Sequence, residues 1–473
     1  MGVAATKWGV TLAVVLAHVL VWSGRARLVS EPYMDEIFHV PQAQRYCKGE
    51  FDYWDDKITT FPGMYLVAAV PALVSRAASR LAGWEGEAAW PADPCSTLSL
   101  RLLNGVVFGG MCALLSFEIV SRLHPKVSDL DVALNALAVS LFPVHFFCAD
   151  LFYTDAGSLA TIMLSLLCCL NKRHHLSALA ATAAVLFRQT NVVWAAFVLA
   201  YDIQNQLEPP PVEAKGPEPS FAAALARILG KALVHRRRLA RNHFPMVALL
   251  LSFVVFVARN GGVVLGDREA HRPAPHLVQF FYCGLAVACA RFPAHFGPES
   301  LRDAKRALLG GGGGGPRAAA PRLLMASALL LGTLFVVSEF TMVHPYTLAD
   351  NRHYTFYVWR RFLGRSRIAR LSLSAPYLLS LHSLARALHR TQSQLVVFAY
   401  FACAACTVIM AELLEFRYFV VPYAVCSLLA PPLERRGALA VLGAFAAVDI
   451  GLEWVFLRRT NVWPDGSIAR FMW

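Results

Sequence analysis

Charge is scarce in this chain. Asp, Glu, Lys and Arg make up 16% of its 473 residues, well under the roughly 25% of soluble domains. With 57% hydrophobic residues and a mean hydropathy of +0.48, that shortage excludes an ordinary soluble fold. The sequence also lacks an Asn-x-Ser/Thr acceptor, so glycosylation cannot fix which side a loop occupies. No internal repeat marks a transporter built from inverted halves. No basic face with interleaved aromatics is present, so the net charge of +13 does not point to nucleic acid. The positive residues sit in short connections between apolar runs, as the positive-inside rule expects. The eleven Cys lie mostly inside apolar runs, as Cys112, Cys168, Cys169 and Cys289 do. They read as small buried hydrophobes and not as a disulfide framework. Cys403 and Cys406 form a C-x-x-C inside such a run, where packing outweighs redox or zinc chemistry. His174 and His175 follow Lys172 and Arg173 in a basic turn and read as loop residues.

A helix needs about 20 apolar residues to cross a bilayer. Runs near 8–23, 62–80, 98–120, 131–148, 156–171, 243–258, 276–291, 321–338, 395–411, 417–430 and 437–457 meet or approach that length, and 176–187, 190–202 and 371–385 are shorter or more polar. They predict one all-α polytopic membrane domain over 1–473, with roughly 11–13 helices. The first run has no small-residue cleavage site after it and reads as an uncleaved helix. Two stretches break the pattern. Residues 203–242 are rich in Pro and Arg, and 302–320 carry six consecutive Gly. Both read as flexible cytosolic linkers without a packed element. With Lys7 cytosolic, a first loop at 24–61 and a later one at 339–370 fall on the opposite, luminal side. The two halves then agree only if one segment between 98 and 156 fails to cross fully.

The first loop holds the densest chemistry. Glu31, Asp35, Glu36, Glu50, Asp52, Asp55 and Asp56 all fall between two apolar runs, among aromatics. Acids beside a membrane helix suggest a site for protons, metal ions or a sugar. On a helix, Asp35, His39 and Gln42 share one face, and a carboxylate beside an imidazole suits proton transfer. Pro41 must kink or restart that helix. A solvated loop with Tyr and Trp as interfacial anchors explains the composition equally well.

A second cluster, His344 to Arg361, packs His, Asn and Arg between aromatics. Arg and His there suit a phosphate, and the aromatics suit sugar or lipid. Three smaller pieces, Leu151–Asp155, Phe187–Asn191 and Glu415–Tyr423, place ionisable groups at helix ends. Each alone reads as snorkelling or an internal ion pair.

Together the pieces are more specific. EPYMDEIFHVPQAQRYC, FDYWDDKITTFPGMYL, LFYTD, FRQTNVVW, HPYTLADNRHYTFYVWRR and EFRYFVVPY resemble, in order and over nearly the whole chain, a known family. It is that of the dolichyl-phosphate-glucose-dependent α-1,2-glucosyltransferases of the endoplasmic reticulum. These enzymes add the third glucose to the lipid-linked oligosaccharide for protein N-glycosylation. The linkers and the first helix carry no such signal. The resemblance implies the GT-C glycosyltransferase fold, with a catalytic first luminal loop. It implies a multi-pass protein of that membrane, with dolichyl-phosphate-glucose as donor and a diglucosylated Man9GlcNAc2 dolichyl-diphosphate as acceptor. Asp35 is the implied general base, Glu36 its adjacent rival, and His39 lies beside them. Arg352 and His353 are the first candidates for the donor phosphate, with Arg417 and Arg188 behind them. Asp155, Trp54 and Tyr346 complete the expected substrate contacts. No cofactor and no obligatory metal are expected, since the donor is a monophosphate. The competing readings are another GT-C lipid-phosphate-sugar transferase and a transporter or channel-associated protein.

Overall fold

The computed structural model describes residues 3–81, 93–208, 219–268, 274–309 and 316–473. Among them, five helices are long and apolar enough to cross a bilayer, six if one bent pair is a single span, and six shorter apolar helices stand beside them. The chain is an all-α polytopic membrane protein, in line with its composition.

Helix α1 (Val3–Leu28) runs antiparallel to α4 (Thr97–Leu123). Lys7 meets Glu118 at 2.8 Å near one end, and the Trp22 indole donates to the Leu98 carbonyl at 2.9 Å near the other. Residues 29–96 therefore leave and re-enter the bundle at the same end. This corrects the expected span at 62–80. Helix α3 (Gly63–Leu81) does not cross but packs within the loop against α2 (Glu36–Lys48). Its Leu66, Val70 and Val74 are exposed at every fourth position, an apolar stripe suited to a bilayer surface. The topological conflict expected between 98 and 156 disappears at α3. The bent pair α5 (Asp129–Ser140) and α6 (Pro143–Ala149) turns by 64°.

A disulfide joins Cys47 at the end of α2 to Cys95 before α4. This corrects the expectation that no Cys is bridged. The signal was that these two, unlike most of the others, lie outside the apolar runs. The remaining nine are free.

The core is built on α7 (Thr154–Leu170), α8 (His174–Phe187) and α9 (Asn191–Leu207). Gly157 makes the α7–α8 approach possible, because a Cβ there would run into the Phe187 ring. Buried pairs of His18 with Asp150 and Arg25 with Glu453 tie α1 to its neighbours.

The linkers are not wholly irregular. Within 203–242 lies α10 (Phe221–Val234), capped by the Ser220 hydroxyl and packed through Ala224 and Ile228. The long α11 (Arg236–Asn260) follows. The 302–320 stretch begins inside a helix, Pro298–Leu309. Each of these helices lies beside the Pro or Gly run, where its spaced apolar residues support a helix. The prolines at 209–211 and 217 and the six Gly at 310–315 lie outside the described residues.

At the end of the chain, β1 (Thr460–Val462) pairs antiparallel with β2 (Ile468–Arg470). The last residues join the 339–370 segment: Met472 N–H donates to Arg352 O at 2.9 Å, and Tyr354 N–H to Met472 O at 3.0 Å.

Candidate active site

Asp35 stands at the N-terminus of α2, directly after Met34, a non-glycine residue with φ +55°. Such a backbone is costly and persists only where its surroundings fix it. Here the Tyr33 side chain is pinned to the Arg470 backbone, its hydroxyl donating to Arg470 O at 2.8 Å and accepting from Arg470 N–H at 2.7 Å. The Asp35 N–H donates to the Tyr153 hydroxyl at 3.3 Å. The Asp35 carboxylate meets Arg417 at 3.3 Å and stays 43% exposed.

Glu36 has a different environment, although it is the next residue. It is fully buried, and Arg101 grips it through Nε at 2.9 Å and a terminal nitrogen at 2.5 Å. The backbone N–H groups of Tyr33 and Phe152 donate to its two oxygens at 3.0 and 2.7 Å. A carboxylate so saturated has no lone pair facing a substrate. The geometry thus corrects Glu36 from rival base to buried anchor, and Arg101 is the residue the sequence did not reveal.

His39 lies one turn from Asp35, its Nδ1 2.6 Å from the Tyr65 hydroxyl and its ring edge-on to Tyr153. Burial pushes its pKa below the ordinary imidazole value, so the neutral form is favoured. The helix continues through Pro41. The Gln42 side chain holds the next turn, donating to Tyr53 O at 2.9 Å and accepting from Asp55 N–H at 3.0 Å. That turn sets Trp54 edge-on against Tyr65, with a buried indole N–H that has no partner.

Arg417 is the hub. Beyond Asp35 it reaches Glu415 at 2.9 Å and Asp155 at 3.8 Å, and its guanidinium lies 5.0 Å from the Tyr153 ring. Asp155, in the first turn of α7, is also paired with Arg188. The Leu151–Tyr153 backbone is held by two buried side chains: Asn104 donates at 2.7 Å to both Leu151 O and Tyr153 O, and Glu36 accepts from the Phe152 N–H. Three sequence pieces that read as helix-end pairs when taken singly thus converge on Arg417.

A cavity of about 360 Å³ opens beside this hub. Arg188, Arg417, Asp155 and Asn191 make its polar end, and Phe253, Met410, Leu413 and Val421 its apolar wall. Asp155 brings a buried oxygen without a hydrogen-bond partner to it.

Arg352 and His353 are not in this cavity. Arg352 is clamped to Asp350 at 2.7–3.1 Å and lies 4.7 Å from the Trp463 ring; His353 Nδ1 contacts Trp473 O at 2.6 Å. Of the four basic candidates, Arg417 and Arg188 line the cavity and Arg352 and His353 do not. Tyr346 is half-exposed and packs edge-on against His344, without a contact to Asp35 or Arg417. Its backbone N–H is capped by His344.

Comparison with known proteins gives this arrangement a context. A rat protein is 35% identical over 97% of this chain and 96% of its own length. A human protein is 33% identical over 97% and 96%, and one from Arabidopsis thaliana 30% identical over 98% of each. All three are named Dol-P-Glc:Glc(2)Man(9)GlcNAc(2)-PP-Dol alpha-1,2-glucosyltransferase. The model of the DIE2/ALG10 family matches residues 29–428, which include α2, the Asp155–Arg188 pair and Arg417, and the chain belongs to that family.

Proposed function

We propose that this chain is an inverting α-1,2-glucosyltransferase of the GT-C type. It moves glucose from dolichyl-phosphate-glucose to the diglucosylated Glc2Man9GlcNAc2 dolichyl-diphosphate, completing the three-glucose precursor for protein N-glycosylation. The observation that carries this reading is the pairing of an accessible Asp35 with Arg417, at the edge of a cavity that holds two guanidinium groups, Arg417 and Arg188, in its polar lining and is apolar along its wall.

Asp35 takes the proton from the acceptor hydroxyl as that oxygen attacks the anomeric carbon. The bond from that carbon to the phosphate oxygen breaks, and its electron pair leaves with dolichyl phosphate. Charge grows on the phosphate during the step, so cations aimed at it stabilise the transition state more than the ground state. Arg417 and Arg188 are placed for that task. The buried, partly unsatisfied Asp155 orients both guanidinium groups. His39 keeps Tyr65 and Tyr153 around the base in place. The apolar wall accepts the lipid chain, and Trp54 and Tyr346 are offered to the glycan. No protein nucleophile and no divalent metal are required.

We place this site on the luminal face of the endoplasmic reticulum membrane. The Cys47–Cys95 disulfide ties the same loop that carries Asp35, and disulfides persist in oxidising compartments. Basic clusters such as Arg236–Arg238 occupy helix ends remote from that loop, as the positive-inside rule requires of a cytosolic face.

The test is transfer by purified protein in detergent from dolichyl-phosphate-glucose to the diglucosylated lipid-linked acceptor, with and without EDTA. Transfer that persists in EDTA and disappears in folded Asp35→Asn protein is expected. A wild-type enzyme inert toward this acceptor but active with another sugar donor overturns the substrate assignment.

A further inference from the structure

At the other end of α7–α9, three helices bring together a second group of functional side chains. His174 opens α8, Asp202 lies near the end of α9, and His243 lies two turns into α11. The group is remote from the candidate active site. Asp155 and Leu170, at opposite ends of α7, are about 22 Å apart at a helical rise of about 1.5 Å per residue, and His174 follows just after Leu170.

The three side chains face one point. His174 Nδ1 is 2.7 Å from Asp202 Oδ2, and His243 Nδ1 is 3.8 Å from the same oxygen. One ligand-type atom from each residue falls within 4.8 Å of the others. The two imidazole rings meet edge-on at 5.2 Å. Asp202 and His243 are buried and His174 is partly exposed, leaving one approach from solvent. Gln206 donates to Asp202 at 3.0 Å, and its amide nitrogen lies 2.9 Å from His243 Nε2.

We propose that His174, Asp202 and His243 form a site for a divalent transition metal, Zn2+ by preference. Two imidazoles and a carboxylate are the donor set that zinc accepts, with water in the fourth position. Tetrahedral bonds of about 2.0–2.1 Å put neighbouring ligand atoms about 3.4 Å apart. The 3.8 Å contact already approaches that spacing, and the 2.7 Å contact needs to open by less than an ångström. The 3.8 Å separation is too long for a hydrogen bond. The site has a mechanical consequence. Asp202 and His243 stand at the two ends of the 203–242 segment, and His174 belongs to the neighbouring α7–α8 turn. A bound ion therefore clips both ends of that segment to the core, far from the glucosyl-transfer chemistry.

The test uses the full chain in detergent, stripped with a chelator and titrated with Co2+, followed by displacement with Zn2+. We expect about one Co2+ per chain with the visible bands of four-coordinate cobalt, lost on adding Zn2+. His243→Gln and Asp202→Asn should each weaken binding by more than the roughly 10–100-fold that loss of an outer-shell partner costs. Gln206→Ala should retain the stoichiometry. Wild type and ligand variants that titrate alike overturn the proposal. Should the variants not fold, zinc X-ray absorption on wild type decides the matter: four N/O ligands at about 2.0–2.1 Å with imidazole scattering support the site, and a disordered all-oxygen shell refutes it.

Discussion

Asp35 and Glu36 are adjacent carboxylates, and the structure predicts that removing them has opposite consequences. Glu36 is fully buried against an almost fully buried Arg101. Glu36→Ala leaves that guanidinium uncompensated, which costs about 3–5 kcal/mol. It also orphans the Tyr33 and Phe152 N–H groups, each costing about 1–3 kcal/mol. Even the low ends reach about 5 kcal/mol, the lower bound of a typical domain's stability. Asp35 is 43% exposed with an ion pair at 3.3 Å, and losing such a pair costs about 0–1 kcal/mol. Its loss as general base should instead slow transfer by about 10²–10⁴-fold. Thermal unfolding in detergent and glucosyl transfer are measured on the same preparations. Asp35→Asn should melt near wild type and be inactive, while Glu36→Ala should give little folded protein. A well-folded, inactive Glu36→Ala beside an active Asp35→Asn refutes the assignment and moves the base by one residue.

Other predictions follow from the same geometry. Arg417→Ala should depress kcat more than KM for the donor, because it meets charge that grows in the transition state, whereas Arg352→Ala should mainly lower the melting temperature by loosening the chain end; steady-state kinetics with a melting curve separates the two. Cys47→Ser should cost about 4 kcal/mol by the loop-entropy relation, given a separation of 48 residues, and should be read as a lower melting temperature under non-reducing conditions. Burial lowers the His39 pKa, so the unfolded chain binds that proton more readily. This residue's contribution is therefore complete above about pH 6.5 and falls as pH drops from there toward the lowered folded value; His39→Asn should flatten that part of a stability-versus-pH curve.

The acidic loop after the first helix and the all-helical class were legible because composition and local pattern carry them, and the Asp155, Arg188 and Arg417 pieces because their motifs resemble those of a known family. The exclusion of α3 from the membrane was not. Its run from 62 to 80 is apolar enough to span, and only the antiparallel contacts of α1 with α4 show that both loop ends emerge together. The roles of Arg352 and Arg417 were likewise indistinguishable in sequence, since each is an Arg near an acid and an aromatic. The fold puts Asp350 and the chain end around one, and Asp35, Asp155 and the cavity around the other.

By itself, the sequence determined that the chain is a helical membrane protein with its ionisable groups gathered in loops and at helix ends. Long apolar runs leave the backbone no other way to satisfy its hydrogen bonds in lipid. The tertiary structure alone decided which of two neighbouring carboxylates is accessible. That choice rests on Arg101 and on the Tyr33 and Phe152 amides, partners up to 116 residues away in the chain, whose convergence no local pattern encodes.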